Sequence, residues 1–261
     1  MRDAPRLVLV LVLVLASCHR SPAPPPPPAA PPPTAVAGPP LAGLTLAVAR
    51  RDDGPAWRDP AAAAWAAVPR AALLLNRTPP SFATDRPPAT APPPAEAQAV
   101  LTGARLYVRL RWDDATENRW HGPAVAPYAR DRIYKRPTTD PAAFFDGAAV
   151  MLPNGPGWRA RFPGLMMGDA AAPVRIFFWR HGDQPAVLDG GGRGAVSPRP
   201  GVAFDAAVVR DERGYVGVFV LPAPADAAAP LAFAIWDGAQ AQRNGDKFFS
   251  PWYRPGDERA R

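Results

Sequence analysis

The chain has 261 residues, a formal net charge of +7, 38 prolines and a single cysteine, Cys18. A lone cysteine excludes an internal disulfide, a cysteine-ligated zinc site and a thiolate iron–sulfur cluster, because each of these needs several cysteines. The basic residues are spread along the chain without a Lys/Arg block, so we do not expect nucleic-acid binding.

The first 40 residues have the pattern of a leader and a spacer. An apolar run, Leu7–Ala16, follows two arginines and is short for a membrane span, as is typical of a signal peptide. It ends in the letters LASC, which resemble a bacterial lipobox ending at Cys18. We predict a lipoprotein signal peptide over residues 1–17, and a lipidated Cys18 with a Pro-rich linker over 18–40. The alternative is an ordinary cleaved signal with Cys18 there by chance.

Residues 41–261 are expected to form one domain, an all-β sandwich with one or two short helices and long Pro/Gly-rich loops. Asp59 as a cap and Pro60 after it predict a short helix to about Val68. The remaining pattern is of short apolar or alternating runs separated by turn residues. The predicted strands and hairpins are Leu44–Arg51, Ala71–Leu75, Glu96–Asp114, Phe144–Pro153, Ala172–Arg180, Asp205–Pro222 and Pro230–Gly238.

Five segments, in order, resemble one protein family. They are DPAAAAWAAVPRAALLL, LYVRLRWDDAT, FFDGAAVMLP, LMMGDAAAPVRIFFWR and LAFAIWDGAQAQRNGDKFFSPWY, and they span about residues 44 to 253. The family is that of the haem-b-binding gamma subunits of type II enzymes of the dimethyl sulfoxide reductase class, such as the ethylbenzene dehydrogenase gamma subunit. This resemblance implies a β-sandwich that holds one haem b through a methionine and a lysine on the iron.

The same resemblance implies which residues bind the iron. The lysine is Lys247, and the methionine is Met167, which directly precedes Gly168, with Met166 as the alternative. The choice of lysine has a chemical reason, since a buried amine can lose its proton and offer a lone pair whereas guanidinium cannot. The chain has only one other lysine, Lys135, which we expect to be solvated.

Other sites remain open from the residues alone. His121 and His181 are rival iron ligands, because imidazole is the commonest protein ligand of haem. Asp113 and Asp114 close a predicted strand, where they are expected to cap the turn, with bound calcium as a weaker alternative. No paired carboxylates, phosphate loop or nucleophile motif indicates a catalytic site.

We therefore expect an electron-transfer protein, more a non-catalytic subunit of an oxidoreductase than an enzyme in itself. The expected partners are iron–sulfur and molybdenum subunits or another redox protein, and the expected location is extracytoplasmic, anchored by lipid at the periplasmic face of the outer membrane. Trp112, Trp179 and Trp236 end predicted strands and are expected to pack the core or a pocket wall. The alternative function is a haem-free surface module that binds carbohydrate or protein, in which tryptophans would stack on sugar rings.

Overall fold

The computed structural model describes residues 43–78, 91–120, 144–243 and 245–258, all within the unit formed by residues 36–261. These residues form two seven-stranded sheets. The all-β sandwich predicted from the sequence is therefore confirmed. The predicted leader, Cys18 and the linker lie outside the described residues, as do His121 and Lys135.

Fourteen strands and three short 3-10 segments make up the regular structure of the described ranges. The strands are β1 Thr45–Arg50, β2 Ala71–Ala72, β3 Asn76–Arg77, β4 Ala95–Leu101, β5 Arg105–Asp113, β6 Gly147–Pro153, β7 Val174–Arg180, β8 Ala186–Gly190, β9 Val196–Pro198, β10 Asp205–Arg210, β11 Gly214–Pro222, β12 Ala232–Trp236, β13 Phe248–Phe249 and β14 Arg254–Asp257. The 3-10 segments are Pro55–Arg58, Ala63–Ala67 and Pro156–Arg159. No helix in these ranges has the length and hydropathy needed to cross a lipid bilayer.

The first sheet has the strand order β10-β11-β5-β4-β1-β14, with β2 added to β4. Two predicted hairpins, β4–β5 and β10–β11, supply its antiparallel half. At the other side β1 pairs in parallel with both β4 and β14, so the earliest and latest described strands are direct neighbours.

The second sheet has the strand order β3-β13-β12-β6-β7-β8-β9, and all its pairs are antiparallel. Its central strands are apolar on both faces, which is unusual for an antiparallel sheet. On β6, for example, Ala148, Val150 and Leu152 face the interior of the sandwich, whereas Ala149 and Met151 belong to a separate apolar cluster on the outer face. The second sheet therefore packs against the sandwich interior on one face and against a second apolar cluster on the other.

The outer face of the first sheet is covered by the first two 3-10 segments, Pro55–Arg58 and Ala63–Ala67. The indole of Trp65, 2% exposed, packs there against Val100 and Tyr107. The sequence predicted a short helix here, and the structure has only the 3-10 turn Ala63–Ala67, because the amides of Trp65 and Val68 bond three residues back instead of four. Buried Gln98 closes this layer by donating to the Trp65 and Val68 carbonyls, both at 2.7 Å.

Candidate cofactor-binding face

The outer face of the second sheet is an apolar surface with a floor of small side chains. Ala234 of β12 pairs with Ala149 of β6, and Ala232 lies two residues along on the same face. Larger side chains stand around them, including Trp236 and Phe178, whose rings meet edge-on with centroids 5.0 Å apart. We call this surface, with the side chains that pack on it, the outer cluster.

The segment between β6 and β7 covers this floor. Phe162, Leu165 and Met167 of the segment pack on the outer cluster. Trp252, 2% exposed, fastens it, because its indole N–H donates to the Pro163 carbonyl at 3.0 Å and its ring meets Phe162 edge-on at 5.6 Å. The cover is thus a defined part of the fold, held by a side chain from close to β14.

Met167 occupies a constrained turn within this cover. Its φ is +68°, in the left-handed region that a methionine rarely adopts, and Gly168 follows with φ +71°. The Met167 carbonyl accepts a hydrogen bond from the Gly192 amide at 2.9 Å. A Cβ on Gly190 would lie only 2.8 Å from the same Met167 carbonyl, so the turn can approach β8 this closely because residue 190 is glycine. A conformation of this cost persists only where the surroundings fix it.

The two methionines of the LMMGD motif differ in their surroundings. Both side chains are half-buried, but Met167 packs on the outer cluster, whereas Met166 is not among its members. The positive φ also belongs to Met167 and not to Met166. The sequence alone left the two as alternatives.

Lys247 lies on the same face, directly before β13. Its neighbour Phe248 pairs with Ile235 and points into the sandwich core, so Lys247 points outward beside Trp236. The Lys247 Nζ is 5.3 Å from the centroid of the Trp236 ring, and the residue is 5% exposed. Burial lowers the pKa of the Lys247 ammonium from 10.5 to about 8, although the nearby Asp246 carboxylate works in the opposite direction.

The segment from Asp237 to Lys247, which we call the lysine loop, is held at both ends; Asn244 within it lies outside the described residues. At its C-terminal end the loop is bonded to buried Thr78. The Thr78 amide donates to the Lys247 carbonyl at 3.0 Å, and the Lys247 amide donates to Thr78 Oγ1 at 3.3 Å. At the near end the Asp237 amide donates to Oε1 of Gln242 at 3.0 Å. Sequence reasoning did not find Thr78, because a threonine before a Pro-rich stretch carries no motif.

The neighbouring residues Asp113 and Asp114 have different partners. Asp113 forms an exposed ion pair with Arg213 at 2.8 Å. Asp114 instead meets Asp146 and Asp237, and one carboxylate oxygen from each lies within 4.8 Å of the others. We call these three residues the carboxylate cluster. Burial and the charge of Asp146 raise the pKa of Asp114 from 3.8 to about 7, and burial raises the pKa of Asp146 as well.

His181 lies at a different place from Lys247. It follows β7 on the inner side, where its ring is 5.7 Å from Trp179 and 5.9 Å from Tyr215, and its Nε2 is 2.9 Å from a Glu117 oxygen. The structure therefore does not bring His181 to the outer cluster. His121 lies outside the described residues.

The tryptophans considered for sugar stacking are packed inside the protein. Trp112, Trp179 and Trp236 are 1%, 7% and 6% exposed. Ring stacking on a sugar needs an accessible face, so these three residues do not form such a surface.

Arg180 is a further residue that sequence reasoning did not single out. It ends β7 on the outer face with 1% exposure, pairs with Asp183, and lies over the Trp120 ring at 4.0 Å. Its paired position in β6 is Gly147, which in turn pairs with Trp236. A buried cation thus lies in the same cross-strand row as the indole that contacts Lys247.

The donor set on this face suits a flat apolar cofactor that carries a metal. A thioether and a neutral amine are both uncharged ligands, and a floor of alanines beneath aromatic walls matches the face of a macrocycle. An amine whose pKa is lowered toward neutrality loses its proton at much smaller cost than a solvated lysine does. The side-chain chemistry of the outer cluster, among the residues described, is therefore compatible with a porphyrin.

Comparison with known proteins gives three relatives of similar kind, although no family model matches the chain. A respiratory nitrate reductase heme subunit of Haloferax mediterranei is 27% identical over 208 residues, covering 75% of this chain and 67% of the relative. The chlorate reductase subunit gamma of Ideonella dechloratans is 32% identical over 58% of this chain and 59% of the relative. The dimethylsulfide dehydrogenase subunit gamma of Rhodovulum sulfidophilum is 30% identical over 59% and 56%. The chain spans between 56% and 67% of the length of these relatives.

Among solved structures, two matches have TM-scores below 0.5 and low identity. A family 9 carbohydrate binding module of Caldicellulosiruptor kristjanssonii in complex with glucose covers 82% of this chain with a TM-score of 0.44 and 10% identity. A carbohydrate-binding protein of Bacteroides uniformis covers 84% with a TM-score of 0.46 and 9% identity. The sequence relatives agree among themselves and with the motifs quoted above. These relatives are members of the gamma haem-subunit family of the dimethyl sulfoxide reductase class of enzymes.

Proposed function

We propose that this protein is a b-type haem electron-transfer subunit in which Met167 and Lys247 would hold the iron. The observation that carries the proposal is the buried amine of Lys247, which lies beside Trp236 on the face that the Met167 turn covers. Burial of a lysine lowers the stability of the fold, because its charge is removed from water. We therefore expect the burial of Lys247 to serve a function. The relatives that are named as heme or gamma subunits support the same assignment.

When bound, the haem supplies a one-electron couple, and the chain supplies its environment. Lys247 offers its nitrogen lone pair once its proton has left Nζ, and the lowered pKa makes this loss easier. Met167 offers a soft sulfur, which favours the reduced metal and raises the reduction potential. The rings of Trp236 and Phe178 exclude water from the face and keep its dielectric low.

Spectroscopy of the haem-loaded protein tests the ligand pair. We expect the full chain, produced in a haem-sufficient periplasm, to show a low-spin reduced spectrum. Lys247→Arg keeps the charge and removes the lone pair, so it should abolish lysine ligation, and Met167→Ala should abolish the sulfur ligand. A colourless folded protein, or a spectrum unchanged by both substitutions, would contradict the proposal.

The partner and the location form a second part of the proposal. A haem subunit needs a redox partner, and the reductase and dehydrogenase complexes of the relatives suggest an iron–sulfur and molybdenum pair; a free-standing cytochrome with another surface redox protein is the alternative. Purification of the full chain from its own membranes, followed by identification of bound proteins, distinguishes the two. Recovery of molybdenum and iron–sulfur subunits in constant ratio supports the complex.

Lipid anchoring of Cys18 is the last part. The lipobox-like LASC sequence supports it, and a chain held by several acyl groups stays on the membrane where a single chain would not. Labelling with a radioactive fatty acid should mark the full chain and should not mark Cys18→Ser. A Cys18→Ser protein that remains in the membrane fraction would show that another segment anchors the chain.

A further inference from the structure

The near end of the lysine loop is built on the carboxylate cluster. Asp146, which is 0% exposed, accepts the Gly238 amide at Oδ1, 2.9 Å away, where the loop begins. Asp237 accepts both the Gln240 amide at 3.2 Å and the Gln240 side chain at 2.7 Å. The first turn of the loop is therefore held by hydrogen bonds to two of the three carboxylates, those of Asp146 and Asp237.

Asp146 also joins this turn to the rest of the sandwich. Its Oδ2 accepts the Asn118 amide at 2.6 Å and the Tyr215 hydroxyl at 2.8 Å. Its own backbone bonds to Asn118 and His181. Through its carboxylate and its backbone together, Asp146 thus connects the segment after β5, the residue after β7, β11 and the lysine loop.

The hydrogen bonds indicate that Asp114, and not Asp146, is the member that holds a proton. Three donors reach the two oxygens of Asp146, which is the pattern of a carboxylate and leaves little room for a proton. Asp114 accepts two hydrogen bonds, from the Thr116 amide and hydroxyl, and both reach the same oxygen, Oδ1. Asp114 is the member able to carry a proton, since its Oδ2 accepts neither of them.

The surrounding charges give the cluster little compensation. Arg210 directs its guanidinium to the carbonyls of Asp114 and Thr116 at 2.8 and 2.7 Å instead of to a carboxylate. Tyr215 donates to Asp146 and stays neutral, because its pKa is raised by burial and by the cluster itself. The other facing groups are already paired: His181 with Glu117, and Arg213 with Asp113.

We infer that Asp114, Asp146 and Asp237 are positioning residues for Lys247, and that one proton held at Asp114 keeps them together. Three carboxylates within 4.8 Å of one another, two of them buried, repel one another when all are ionised, so loss of this proton pushes the base of the lysine loop away from Asp146. The raised pKa of Asp114 agrees with this. The effect on iron ligation rests on the proposed function, whereas the effect on the loop does not.

The first test measures the stability of the haem-free full chain. A folded-state pKa near 7 against 3.8 in the unfolded chain means that stability is complete below about pH 4 and is lost as the pH rises through 7. The unfolding constant should therefore rise on the order of 100-fold between pH 5 and pH 8 from this group alone. Asp114→Asn should remove that rise, and the matched variant Asp113→Asn, one residue away, should keep it.

The second test reports on the loop. Acylation of Lys247, followed by mass spectrometry with Lys135 as internal reference, measures how often the loop opens in the haem-free protein. At pH 8 the ratio of Lys247 acylation to Lys135 acylation should be about tenfold lower in Asp114→Asn than in the wild type. At pH 5.5 the two proteins should give the same ratio. In loaded protein, Asp114→Asn should bind haem about tenfold more tightly than the wild type at pH 8 only.

The outcomes separate the claims. A wild-type pH profile in Asp114→Asn, or equal acylation ratios at pH 8, overturns the inference. Stabilisation of the wild type at pH 8 by millimolar calcium, reversed by a chelator and absent in Asp114→Asn, also overturns it, because a cation would then neutralise the cluster. If the haem-free results hold but no variant binds haem, the proposed function fails and the positioning role stands.

Discussion

Replacement of Lys247 by methionine should make the haem-free protein more stable while destroying its function. Lys247 has a pKa of about 8 in the folded protein against 10.5 when solvated. At about 1.36 kcal/mol per pH unit, holding the charged form in the fold costs roughly 3 kcal/mol at pH 7. Lys247→Met keeps the length of the side chain and removes the charge, so the free energy of unfolding should rise by about that amount.

The pH dependence is the sharper part of this prediction. Because the folded pKa is lowered, the destabilisation is complete below pH 8 and disappears as the pH rises to 10.5. Chemical denaturation at pH 7, 9 and 10.5 should show the advantage of Lys247→Met shrinking toward zero. The chain's other lysine provides the control, Lys135→Met, which should leave the unfolding free energy unchanged. A Lys247→Met protein no more stable than wild type, or one whose advantage is independent of pH, would refute the reasoning.

Three further predictions concern the two loops of the candidate site. Met167→Leu should remove the sulfur signature from the haem spectrum and lower the reduction potential, whereas Met166→Leu should leave both unchanged; the reverse result would assign the ligand to Met166. Gly190→Ala should weaken haem binding about tenfold in a haem titration, because its Cβ would lie 2.8 Å from the Met167 carbonyl; unchanged binding would mean that the turn moves freely. Thr78→Val should lower the free energy of unfolding by about 1–3 kcal/mol in urea, since it removes the hydroxyl that accepts the buried Lys247 amide and donates to the Gly245 carbonyl, and Thr78→Ser should restore most of the loss.

The long strands were predictable because their signals are local. The hairpin β4–β5 follows from two apolar runs around Thr102-Gly103, and β10–β11 from the turn at Glu212–Gly214, both of which the structure confirms. In contrast, β13 has two residues and β14 has four, and each is defined by its hydrogen bonds to a strand that is distant in sequence or preceded by a loop. No periodicity can be read from two residues, so β13 was not predicted although it positions Lys247.

The site was predictable only in part, for a related physical reason. The motifs around Met167 and Lys247 identified two residues of unusual chemistry, but not that they lie on one face of one sheet. That arrangement depends on register: Ile235 pairs with Phe248, and a shift of one residue would turn Lys247 into the core. The carboxylate cluster is harder still, since Asp114, Asp146 and Asp237 come from the ends of three strands that the sequence separates by 123 residues in all.

The parallel pairing of β1 with β14 has a consequence for biogenesis. Leu46 of the first strand aligns with Pro255, more than 200 residues later, and lies between β4 and β14. Until β14 has been synthesised, one side of β1 has no neighbour and exposes its backbone N–H and C=O groups. Closure of this side of the sheet therefore waits until β14 has been made, and removal of residues 254–258 is a direct way to keep it open.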